Sequence, residues 1–299
     1  MNNAKHLLLC GFLFCLLLPG QGHPVSKADS LILSRFAEYA AQERLGDLPV
    51  DRRIERIGRF FLGKPYKSGT LNIPQKEMPV INLRELDCVT FVENVLALAL
   101  LDNYDTISVR DFVKNIVTLR YREGKITDYT SRLHYSADWP YEMGRLHYLS
   151  DMTKALGGTR YSPRVGFMSK HPKKYPPLAA DKQLVDKMRD IETSINKRTY
   201  YYLPKAKIKT ATHRIHTGDV ILITTNIQGL DTSHLGIAVK KGRKTYLMHA
   251  SSTAGKVVIT SEPLEAYMAD IASQTGIIIA RPNLLLSEEW LEMPCWHGN

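Results

Sequence analysis

Thiols are scarce in this sequence. Its 299 residues include four cysteines, and two of them, Cys10 and Cys15, fall in an apolar run near the start, which leaves Cys88 and Cys295. One disulfide is the most that pair could form, so a fold stapled by disulfides is excluded. Long apolar stretches are missing too. A membrane-crossing helix needs roughly 20 apolar residues, and the run Leu7–Leu18 falls short of that. Lys5 precedes it and Pro19-Gly20-Gln21-Gly22 follows, the pattern of a cleaved secretory leader. We read residues 1–22 as that leader and 23–299 as a single exported, periplasmic domain. Both early cysteines lie inside the run with no small-residue pair before them, so no stable membrane anchor is expected.

Acidic residues are outnumbered, 30 against 40 Lys and Arg, for a formal charge of +10. Lys5 is the only charged residue before His23, so loss of the leader leaves +9. Such a surface attracts anions or simply aids solubility. The basic residues are scattered without interleaved aromatics, so nucleic acid is not the expected partner. Anionic cell-wall polymer suits an exported protein better. Internal repeats and low-complexity tracts are also lacking.

What is present is ordinary globular material, 44% hydrophobic and 23% charged. Apolar residues three or four apart between positions 27 and 62, among them Leu33, Phe36, Ile54 and Ile57, predict two amphipathic helices. Gly63, Pro65, Gly69 and Pro74 punctuate a loop up to Glu85-Leu86-Asp87. From Cys88 to Leu101 the sequence is apolar almost all round, as in a buried central helix, and Asp87 is placed to cap it. A short helix is expected over Val109–Leu119. The aromatic-rich stretch from Tyr121 to Tyr141 reads as loops facing a substrate. Residues 163 to 209 show one helical stretch, Leu184–Ile195. After Gly218 come strands at 219–225, 234–240, 245–250, 256–260 and 276–280, which predict a mostly antiparallel sheet.

Cys88 stands where a helix N-terminus offers partial positive charge and N–H donors, which favour thiolate. A nucleophilic thiol also needs a base. His6 lies in the leader, and His171, His213, His216 and His297 lie in loops or tail. His234 opens one predicted strand, Thr-Ser-His-Leu-Gly-Ile-Ala-Val, and His249 ends the next, Tyr-Leu-Met-His-Ala-Ser. A hairpin turn between them brings the two together. His234 then serves as base and His249 orients it.

Asp-Cys opening an apolar helix, His-Leu-Gly-Ile opening a strand and His-Ala-Ser ending the next resemble the papain-like NlpC superfamily of cell-wall hydrolases. The strings Gly-Lys-Pro-Tyr-Lys-Ser-Gly-Thr-Leu, Leu-Asp-Cys-Val-Thr-Phe-Val-Glu, Leu-Arg-Tyr-Arg-Glu-Gly and Ser-Arg-Leu-His-Tyr resemble its N-acetylmuramoyl-L-alanine amidase-like branch. They span roughly residues 60 to 255. The resemblance implies an α+β, papain-like fold with the nucleophile helix packed on a mostly antiparallel sheet. It implies cleavage of the amide between N-acetylmuramic acid and L-alanine in peptidoglycan-derived muropeptides, with Tyr66 at the oxyanion. Within the branch-specific stretch from Arg120 through Trp139, Arg132, His134 and Trp139 are expected to grip the substrate, by a forked charge and by stacking on a sugar.

Plainer readings stand beside these. A lone cysteine before an apolar helix is ordinarily packed core, His249 could be a core histidine, and Tyr66 a packing tyrosine. Arg132, His134 and Trp139 could pin a loop. His213, His216, Cys295 and His297 match no standard zinc spacing, and no metal or cofactor is expected. A γ-D-glutamyl-diamino-acid endopeptidase would use the same three residues, and a catalytically silent wall-binding module would use none.

Overall fold

The computed structural model describes residues 25–72 and 76–283. The expected leader, Cys295 and His297 lie outside the described residues.

Among the described residues, ten α-helices precede or flank the sheet: α1 (Lys27–Gln42), α2 (Val50–Phe60), α3 (Cys88–Ala99), α4 (Val109–Arg120), α5 (Asp138–Arg145), α6 (Phe167–Lys170), α7 (Pro176–Ala180), α8 (Lys182–Asn196), α9 (Ile208–Ala211) and α10 (Leu264–Ala269). The strands are β1 (Leu149–Asp151), β2 (Thr159–Tyr161), β3 (Tyr200–Pro204), β4 (Val220–Thr225), β5 (Thr232–Lys241), β6 (Lys244–Ser251), β7 (Lys256–Ile259) and β8 (Gln274–Pro282). They form one open sheet in the order β2-β3-β8-β4-β5-β6-β7, with β1 also on β8. Every pairing is antiparallel. This is a mixed α/β fold with helices packed on an open antiparallel sheet. No helix among the described residues is long and apolar enough to cross a membrane.

Both faces of the sheet are covered, and the strand sequences show why. Along β4, Val220 and Leu222 join the core that holds α3, while Ile221 and Ile223 join a second core with Ile208, Leu264 and Met268. A strand buried on both faces has no polar side to show, hence the unbroken run Val-Ile-Leu-Ile. β5 splits the same way, with Leu235, Ile237 and Val239 toward α3 and Ala238 away from it.

α3 is buried along nearly its whole length, from Thr90 to Ala99. Its start is fixed by a capping box. The Asp87 carboxylate accepts from the Thr90 N–H at 2.8 Å, and the Asp87 N–H donates to the Thr90 hydroxyl at 2.9 Å. The N-terminal helices also serve this point. On α1, buried Asp29 accepts from the Leu83 N–H at 2.9 Å and from Arg84 at 3.2 Å, fixing the segment that leads into Cys88.

Two sequence expectations need correcting. The stretch read as loops up to Tyr141 carries α5, whose Pro140 lies in its first turn, where proline is tolerated. The 163–209 segment contributes β3 to the sheet in addition to its helix α8.

Candidate active site

The site forms where β5 and β6 part. Their ladder runs from Lys241–Lys244 to Ile237–Met248 and ends there. Beyond it, His234 on β5 and His249 on β6 meet ring to ring, His234 Nε2 lying 2.6 Å from His249 Nδ1 with the rings 85° apart. Gly236 makes this possible. A Cβ there would lie 2.7 Å from the Met248 carbonyl and 2.9 Å from the His249 Cβ, inside any normal contact. Gly236→Ala is therefore expected to lower stability by about 1–3 kcal/mol, as overpacking does, and to push the two rings apart. Urea unfolding together with turnover measures both.

Cys88 is half-buried at the first position of α3. Backbone N–H groups of Leu235, Val89 and Cys88 itself act on its sulfur. The Leu235 amide belongs to the residue next to His234, so the strand that carries the imidazole pair also touches the thiol. The sequence predicts a lowered thiol pKa at this helix start. Instead, burial and then the Asp87 carboxylate push it up to about 12, outweighing the three amides. Burial also pushes His234 down to about 4. His249, 1% exposed, falls to about 3 through burial and then the neighbouring His234. At neutral pH the thiol and both rings are uncharged.

Tyr66 is held beside this point by a short stitch. Its N–H donates to the Gly255 carbonyl at 2.9 Å, while the Leu86 N–H donates to Pro65 and the Lys67 N–H to Leu86. The loop thus bridges the residues just before Cys88 and the β6–β7 turn. The phenol's pKa is raised by burial and then by its neighbours Cys88 and Asp87.

Beside the start of α3 lies a cavity of about 200 Å³. Asp87, Val89 and Glu93 line one side, and Arg132, His134 and Trp139 line the other. The structure therefore brings the three branch-specific residues to the cavity, but their polar groups are largely committed. Arg132 donates through Nε and Nη2 to Glu77, with a shortest contact of 2.7 Å. The Trp139 indole N–H donates to the Leu119 carbonyl at 2.8 Å, and the side chain is 7% exposed. Both are walls more than hooks. His134 Nε2 donates to the Tyr129 carbonyl at 2.9 Å, which leaves Nδ1 as the acceptor. Burial, then Arg132, holds His134 neutral, down to about 3.

Sequence reasoning missed three residues here. Glu93 ends the string Leu-Asp-Cys-Val-Thr-Phe-Val-Glu and pairs with buried Arg120 at 2.7 Å. A carboxylate inside an apolar helix is itself a signal, because such charges are buried only when paired. Glu77, the partner of Arg132 and Tyr121, carries no such mark. Nor does Tyr267, on the short helix α10, whose ring packs against His249. Among the described residues, no three His, Cys, Asp or Glu side chains are arranged to hold a metal ion.

Helices on an open antiparallel sheet, with a thiol reached by the strand that carries one of two coupled histidines and a cavity lined by its neighbours Asp87 and Val89, define the class of protein. The family follows from the chain itself: residues 56–277 match the AmiA-like, N-acetylmuramoyl-L-alanine amidase-like family, to which the chain belongs. It is similar to an N-acetylmuramoyl-L-alanine amidase from Bacteroides uniformis, at 40% identity and a TM-score of 0.75, over 78% of this chain and 98% of that one. It is also similar to a Bacteroides fragilis protein described as a candidate xylanase, at 40% identity and a TM-score of 0.72, over 75% and 99%. A Legionella pneumophila protein at 24% identity shares the fold, with a TM-score of 0.63 over 85% and 94%. No curated protein matches.

Proposed function

We propose that the chain is an exported cysteine amidase, one papain-like, NlpC-type domain over residues 23–299, acting on peptidoglycan fragments outside the cytoplasm. The bond cleaved is the amide between the lactyl carboxyl of N-acetylmuramic acid and L-alanine. The observation that carries the mechanism is the 2.6 Å contact between His234 Nε2 and His249 Nδ1, on a strand whose Leu235 amide reaches the Cys88 sulfur.

That contact makes one ring the donor and the other the acceptor. If His234 donates from Nε2, its Nδ1 carries the lone pair and faces the thiol as base, while His249 accepts and holds the ring. The Cys88 proton passes to His234 Nδ1 as sulfur attacks the carbonyl carbon. The C–S bond forms and the carbonyl electron pair moves to oxygen, where the Cys88 N–H and the Tyr66 hydroxyl donate to it. Collapse breaks the C–N bond, and His234 gives its proton to the departing L-alanine amine. Water, deprotonated by His234, then attacks the thioester, freeing the muramic carboxylate and restoring the thiol. Arg132, His134 and Trp139 shape the cavity for the substrate, with His134 Nδ1 free to accept from it. A cofactor has no part in these steps.

A glycosidase reading is disfavoured by the carboxylates at hand. Sugar cleavage needs an acid and a base or nucleophile facing the bond, whereas Asp87 is tied up as a helix cap and Glu93 is paired with Arg120. Mass spectrometry of products from a defined muropeptide tests the proposal. Intact peptide beginning with L-alanine, with sugar bearing a free lactyl carboxylate, is expected. Sugar still carrying a dipeptide means the γ-D-glutamyl endopeptidase reading, and sugar cut from sugar means a glycosidase.

A further inference from the structure

The mechanism requires His249 to stay neutral and to keep Nδ1 aimed at His234, yet β6 alone cannot fix a ring that turns about its own side-chain bonds. Neighbours on three elements flank it. On β5 are His234, the ring it bonds, and Gly236, which has no side chain. On β7 its register partner is Val258, which is apolar and does not titrate. The remaining neighbour comes from α10, where the Tyr267 ring lies 5.4 Å from the His249 ring at 62°, an edge contact. Tyr267 is half-buried against the second core. Its helix is anchored there by fully buried Leu264 and Met268.

We infer that Tyr267 is a positioning residue, its aromatic ring clamping His249 edge-on and keeping water from it, so that His249 remains a neutral acceptor for His234. Edge contacts with an aromatic ring favour one orientation of the approaching ring. The raised pKa of the Tyr267 phenol, from burial and then from neighbouring Cys88, agrees with a place beside the sulfur. The inference rests on the Cys88–His234–His249 reading above. Its sign follows from burial. Covered, His249 titrates near 3; wetted, it moves toward the ordinary value near 6.5, and a protonated His249 cannot accept from His234.

The test compares Tyr267→Phe and Tyr267→Leu with wild type on the same muropeptide and follows the His249 ring by NMR titration. Phe keeps the ring and should hold kcat within about twofold. Leu keeps apolar bulk but no ring. It should lower kcat about tenfold with KM nearly unchanged, raise the acid limb of kcat by about one pH unit, and raise the His249 titration with it. A Leu variant with wild-type kcat and acid limb overturns the inference, as does a Phe variant as impaired as Leu, which would assign the role to the hydroxyl. Cys88→Ala is the control for the underlying reading. If that variant stays active the reading itself fails, whereas the NMR titration still reports on the clamp.

Discussion

Cys88→Ala should release no L-alanine peptide from a muropeptide above the uncatalysed level, a loss of about 10⁴–10⁶-fold in kcat of the kind seen when a nucleophile is removed. The variant should fold as well as wild type. Cys88 as a residue is half-buried, and removing its sulfur leaves the Asp87–Thr90 box and the apolar face of α3 untouched, so the thermal midpoint should move by only a few degrees. Quantitative product chromatography and a melting curve on the same sample measure the two effects. Turnover retained within tenfold would place the chemistry elsewhere. Because burial raises the thiol to about 12, resting Cys88 should also alkylate slowly at neutral pH, then faster as alkali creates thiolate. On the proposed mechanism, the sulfur gains its nucleophilic character only when a substrate carbonyl is present and His234 takes the proton.

His234→Ala should cost about a thousandfold or more in kcat/KM, and His249→Ala about a hundredfold, since the base takes part in each proton transfer and its partner only orients it. The pH profile carries the same signature. A base works when unprotonated, and burial lowers His234 to about 4. Activity should therefore stay level as pH falls through 6.5, where an exposed histidine would lose it, and decline only near pH 4. Steady-state rates from pH 3.5 to 8 decide this. An acid limb near 6.5 would mean that water reaches the pair, and a tolerated His234→Ala together with a crippled His249→Ala would reverse their roles.

Much of this was legible from residues. The strands of the C-terminal third stand out because Val220–Thr225 and Gly276–Ala280 are buried on both faces and so carry little but β-branched and aliphatic side chains. The pairing of His234 with His249 followed from hairpin geometry alone. Less visible were elements whose sequence argues against them. α5 contains Pro140 and Gly144, and β3 is short, aromatic and ends in Pro204. The partners that engage Arg132 and Trp139 at the cavity were hidden for a different reason. Residue type says what a side chain can bind, whereas Glu77 and the Leu119 carbonyl, distant in sequence, determine what it does bind. The upward push of burial on the Cys88 thiol was not legible either, because a helix start is local and readable, while burial is collective and is not.

The stitch that holds Tyr66 between Leu86 and Gly255 has a consequence for how the protein reaches activity. The proposed site takes its parts from residues 66, 88, 234 and 249, and the bonds that close it span almost two hundred positions along the chain. Loop closure over such a span comes at an entropic cost that only non-local contacts can offset. No early, locally folded piece of the chain contains a working site. Recovery of hydrolysis after dilution from denaturant should therefore lag behind the return of helical signal and coincide with the last cooperative step. The enzyme stays silent until the whole domain has closed.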